Sequence, residues 1–118
     1  MAIYKFQKLK VYQLALDYIG EIYQLVEDLP SSERINLSSQ VRRSAVSISL
    51  NIAEGSTGQT DAEQGRFLGL ALRSYLESIA CLDIVERQNY AAAEKLTPVR
   101  ELGHRVFVKL IAFRNALK

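Results

Sequence analysis

Apolar positions recur at intervals of three and four residues along most of the chain, the period of an α-helix. Between residues 6 and 28 they fall in two parallel stripes. One is Leu9, Tyr12, Leu16, Ile19, Tyr23 and Val26; the other is Val11, Ala15, Tyr18, Ile22, Leu25 and Leu29. Two adjoining stripes cover more surface than one partner helix needs, so this first helix is expected to touch at least two neighbours. Pro30 ends it. A second helix is expected over residues 38–54, with Ser38 as N-cap and a buried edge of Val41, Ala45, Ile48 and Ile52 extended by Ser44 and Leu37. Alternation from Ala45 to Leu50 would fit a strand, but the longer 3-4 spacing and the absence of flanking hairpin turns favour a helix. Gly55 and Gly58 read as terminator and loop.

Thr60-Asp61-Ala62-Glu63 has the form of a capping box, in which a hydroxyl and a carboxylate each satisfy a free amide. A third helix is expected from there to residue 88, burying Leu68, Ala71, Tyr75, Ser78, Leu82 and Val85. The small residues Gly65, Gly69, Ala71, Ser74 and Ser78 would allow another helix to come close. A fourth helix is expected over residues 97–117, capped by Thr97 with Pro98 at its first position, after a short preface at residues 91–95. Its stripe is Val99, Gly103, Val106, Leu110, Phe113 and Leu117. Four helices with short links make an all-α fold, an up-down-up-down, left-handed four-helix bundle in a single domain.

Composition narrows the function classes. Of the 118 residues 48% are hydrophobic, which fills one core and excludes a disordered tail. A net charge of +2 is a mild lean, short of the basic excess of a stand-alone nucleic-acid binder. The lean is local: residues 91–118 hold six bases against two acids, a net +4. One cysteine excludes an internal disulfide and one histidine argues against a zinc site. The N-terminal run is broken by Tyr12, Gln13 and Asp17, so neither a signal peptide nor a membrane anchor is read there, and a cytoplasmic location is expected.

No catalytic, cofactor-binding or metal-ligating constellation stands out. His104 reads as a surface histidine and Cys81 as a buried thiol. Arg42 and Arg43 are more informative. Adjacent helix positions diverge by about 100°, so one can face inward, where a guanidinium needs a carboxylate. An internal network of Arg42, Arg43, Asn51, Glu54 and Glu77 is therefore preferred over phosphate binding by the two arginines. On the fourth helix, Phe107, Val108 and Ile111 are expected to point away from the core, as a candidate interface for self-association. Arg100, Arg105, Lys109, Arg114 and Lys118 flank them as candidate nucleic-acid contacts.

The run from Leu37 to Gly55 also resembles a family signature, L-x-x-Q-x-R-R-A-x-x-S-I-x-x-N-I-A-E-G. It is matched by Gln40, Arg42, Arg43, Ser47, Ile48, Asn51, Ile52, Ala53, Glu54 and Gly55, with Ser44 in place of the alanine. A second block, F-x-x-x-A-x-G/R-S-x-x-E, aligns with Phe67, Ala71, Arg73, Ser74 and Glu77. The chain thus resembles the four-helix-bundle proteins encoded in intervening sequences of bacterial 23S rRNA genes, relatives of an accessory protein of diversity-generating retroelements. The resemblance implies a bundle, a homo-oligomer such as a homopentamer, and RNA or a reverse-transcriptase-like protein as partner. Together these readings give a non-enzymatic, oligomeric bundle that binds structured RNA or a ribonucleoprotein through basic surface residues. A protein-interaction adaptor is the alternative.

Overall fold

The computed structural model describes residues 3–117. It is an all-α bundle of α1 (Lys10–Val26), α2 (Leu37–Gly55), α3 (Asp61–Arg87) and α4 (Ala93–Ala116), measuring 43 × 27 × 22 Å. Each helix packs on two neighbours in the cycle α1, α2, α3, α4, with the α2–α3 seam the most extensive.

The first helix is shorter than its apolar pattern. Lys5–Lys8 forms a separate 3₁₀ turn, held by Gln7 Oε1 accepting from the backbone amides of Ile3 and Tyr4 at 2.8 and 2.7 Å. Leu9 is extended, so α1 starts at Lys10. One stripe, Val11, Ala15, Tyr18, Ile22, Leu25 and Leu29, is wholly buried. The other is divided: Val26 is buried, Leu9, Tyr12 and Ile19 pack at the margin, and Leu16 and Tyr23 are exposed.

Ser38 does not cap α2. It lies buried inside the helix, and Glu33 Oε1 takes the Leu37 amide instead at 3.3 Å. Val41, Ala45, Ile48 and Ile52 form the core face, and the buried hydroxyls of Ser44 and Ser49 donate to the carbonyls of Val41 and Val46. Gly55 serves close packing: a Cβ there would sit 2.6 Å from Phe67 Cβ on α3.

Thr60 caps α3 by accepting from the Glu63 amide at 3.2 Å, but the reciprocal half of the capping box is replaced by a Glu63–Arg66 ion pair. The helix closes with Asn89 at φ 58, the Tyr90 amide reaching Val85 O and the Asn89 amide reaching Glu86 O, both at 3.0 Å. This is the Schellman pattern, with asparagine in the left-handed position.

The last helix starts earlier than its residues suggest. It begins at Ala93, which leaves Pro98 inside the helix and Thr97 as no cap; the Thr97 hydroxyl donates back to Ala93 O at 2.9 Å. Two anchors draw in the extra turn. Leu96 is buried in the core, and Lys95 meets Asp28 of the α1–α2 connection at 2.8 Å. Near mid-bundle the Tyr18 hydroxyl donates to Ser78 Oγ at 2.8 Å, and the Ser78 hydroxyl in turn donates to Tyr75 O at 2.6 Å. Gly103 of α4 lies over this pair, where a Cβ would be 2.8 Å from Tyr18 Cε1 and 3.1 Å from Tyr75 Cε1.

Candidate nucleic-acid interface

The structure does not join Arg42, Arg43, Asn51, Glu54 and Glu77 into an internal network. Arg43, Glu54 and Glu77 are exposed, Arg42 is half-buried, and Asn51 Nδ2 donates to Ser47 O of its own helix. Among the described residues the ion pairs are Arg66–Glu63, Lys95–Asp28 and Arg100 with Asp83 and Glu86, none of which includes these side chains. The reason is steric. Val41, Ala45, Ile48 and Ile52 fill the inward face of α2 and leave no interior room for a guanidinium–carboxylate pair. Arg42 and Arg43 instead line an open groove between α1 and α2.

The cations expected on α4 do not share one face either. Arg100 is tied to Asp83 Oδ1 and Glu86 Oε1 of α3, each at 3.0 Å. Partial burial works against its charge, but the two carboxylates outweigh it and keep it protonated. Arg105 and Lys109 are exposed. Arg114 lies nine residues beyond Arg105, and at 100° per residue the two point to opposite sides of the helix. Lys118 lies outside the described residues.

Arg114 enters a groove of about 500 Å³ between α3 and α4. Its α3 wall carries Arg66 and Arg73, seven residues apart on one face, with Leu70, Leu72 and Leu76; its α4 wall carries Phe107 and Ile111. Gly69 opens the trough, since a Cβ there would meet nothing within 4 Å. Arg66 lies over the Phe67 ring at 4.5 Å while pairing with Glu63. Arg114 Nε is buried without a hydrogen-bond partner among the described residues.

Phe107 and Ile111 are less outward than expected. Both are half-buried as walls of this groove, Phe107 resting 5.4 Å from the Tyr75 ring. Val108, beside them on α4, is 50% exposed, as is Leu76 across the groove at 54%. Sequence reasoning missed Arg66 and Arg73, whose signal was their seven-residue spacing beside the unfilled Gly65 and Gly69. A smaller groove of about 320 Å³ between α1 and α4 carries Glu21, Asp28 and Lys95, and with Asp28 paired to Lys95 the remaining carboxylate of Glu21 disfavours phosphate.

No catalytic arrangement forms around the two reactive side-chain types. Burial, and then the Glu77 charge, push the Cys81 thiol up, and His104 stacks on Phe107 at 6.2 Å. Among the described residues no group of three or more His, Cys, Asp and Glu side chains is placed to hold a metal, and no helix is long and apolar enough to cross a membrane.

The sequence profile of the 23S rRNA-intervening sequence proteins matches residues 7–112. The chain belongs to this family. A solved structure from Bacteroides thetaiotaomicron, described as a protein with unknown function from the S23 ribosomal protein family, is 25% identical. It superposes with a TM-score of 0.81 over 88% of this chain and 97% of its own. No curated protein matches. The structural match extends to nearly the whole bundle.

Proposed function

We propose that the chain is a non-catalytic, self-associating bundle that holds structured RNA by phosphate contact in the α3–α4 groove. The observation that carries this is the convergence of Arg66, Arg73 and Arg114 on one trough. Guanidiniums present paired donors that fit phosphate oxygens, and contacts of this kind position a duplex without reading its sequence. The family's name ties it to the intervening sequences of 23S rRNA genes, in keeping with a nucleic-acid ligand. Arg105 and Lys109 extend the positive charge onto the outer face of α4. Self-association is supported by the exposed Val108, outside the groove, which a second copy would cover, and a ring such as a pentamer would repeat the groove around its circumference.

The aliphatic lining of the trough favours one rival, an adaptor that docks a protein helix. Filter binding with a duplex RNA at low and raised salt separates them. Under the first reading Arg73→Ala and Arg114→Ala each weaken duplex binding and reduce its salt dependence. No affinity at low salt, together with nuclease-resistant recovery of a partner protein from the source cell, would establish the adaptor instead.

A further inference from the structure

On the opposite side of the bundle, α2 turns a second face to a groove of about 460 Å³ shared with α1. Ser39, Arg43 and Ser47 follow one another at four-residue intervals, the spacing that stacks side chains along one helix face. Arg42 sits one position from Arg43 and lines the same groove, and α1 supplies Tyr23, whose side is 49% exposed. No acidic side chain is part of the lining, and neither arginine forms an ion pair among the described residues. Two free guanidiniums, two hydroxyls and an accessible aromatic ring form a donor set for a phosphate beside a flat, π-bearing group.

We infer that the α1–α2 groove binds a short single-stranded segment of RNA. A base stacks on Tyr23, and the adjoining phosphates are held by Arg42 and Arg43 with the Ser39 and Ser47 hydroxyls. Charge selects a polyanion, and the aromatic ring selects among polyanions. A carboxylate-rich peptide would satisfy the arginines but leave Tyr23 without a stacking partner, whereas every base has a π-face. A duplex is disfavoured because its bases are already stacked inside the helix. From Ser39 to Ser47 the groove runs roughly 12 Å at 1.5 Å per residue, the scale of a few nucleotides. Val46 and Leu50 provide an apolar margin beside the ring. The inference goes beyond the phosphate-binding reading of α3–α4, because it uses other residues, another face and a different form of RNA.

The experiment is fluorescence anisotropy of a labelled single-stranded RNA hexamer with the full chain. Competitors are an unlabelled duplex and polyglutamate of matched charge. Tyr23→Ala and Arg43→Ala should each weaken hexamer binding roughly tenfold or more, while Tyr23→Phe, which keeps the π-face, should bind like the parent. Circular dichroism melts confirm that the variants are folded. The hexamer should be displaced less well by the duplex and by polyglutamate than by unlabelled hexamer. Full affinity in a folded Tyr23→Ala chain overturns the inference, as does equal displacement by polyglutamate. Duplex affinity is read separately through Arg73 and Arg114. Its absence with hexamer binding intact strikes only the α3–α4 reading and leaves the single-strand site supported.

Discussion

Two glycines show how one residue type can serve opposite ends. A Cβ added at Gly103 would lie 2.8 Å from Tyr18 Cε1 and 3.1 Å from Tyr75 Cε1, closer than van der Waals contact. Gly103→Ala therefore overpacks the mid-bundle and should lower stability by about 1–3 kcal/mol in a denaturant titration. Gly69 carries no such constraint, and in the interior of α3 it costs about 1 kcal/mol relative to alanine. Gly69→Ala should raise the melting temperature. Tyr18 adds a pH signature. Burial pushes its phenol up from the ordinary value. The folded state thus favours the protonated form. Its contribution is fully present below the ordinary phenol value of about 10 and is lost as pH rises beyond it. Tyr18→Phe should be less stable than the parent near neutrality, by about 0.5–1.5 kcal/mol for the lost hydrogen bond. The gap should close in melts taken above about pH 10.

At the scale of the element, periodicity read well wherever burial was the cause, and local end signals read poorly wherever tertiary contacts overrode them. The core faces of α2 and α3 are legible because each buried position repeats at 3-4 spacing. The start of α4 is not, because Thr97-Pro98 resembles a helix opening more than Ala92-Ala93 does, and only the seating of Leu96 and the Lys95–Asp28 contact reveals the extra turn. The site shows the same divide. Arg42 and Arg43 stood out in the sequence, but whether they faced inward depended on how fully Val41, Ala45, Ile48 and Ile52 filled the interior. Arg66, Arg73 and Arg114 became a group only when two helices were set side by side. Pro98 provides the element's own test. Lacking an N–H, it leaves Glu94 O without its helical donor, and both residues lie on an exposed side of the helix. Pro98→Ala restores the donor, while the more flexible unfolded chain offsets part of the gain. A net rise of about 1 kcal/mol is expected by thermal melting.

At the scale of the whole molecule, net charge and binding capacity separate. A chain of +2 is a weak attractor of polyanions, yet its acids are not spread evenly among its bases. Asp83 and Glu86 are drawn to Arg100, and Asp28 to Lys95, whereas the α3–α4 groove holds three arginines with Glu63 as the carboxylate paired there. Salt dependence measures this directly. If one chain places three arginines on phosphates, the logarithm of duplex affinity falls with the logarithm of salt at a slope of about −2.7. That is about a 40-fold loss between 50 and 200 mM salt. Arg73→Ala should make the slope shallower by about one. The same slope reports on assembly, because two copies engaged on one duplex double the phosphates contacted. Light scattering at the concentrations of the binding assay gives the number of chains, and Val108→Glu weakens the association by placing a charge on its exposed apolar surface. A steep parent slope that drops to near −2.7 in a monomeric Val108→Glu chain would show that assembly multiplies an otherwise modest cationic groove. A slope unchanged by dissociation would mean that each chain acts on RNA alone, and that the apolar surface of α4 serves a different contact.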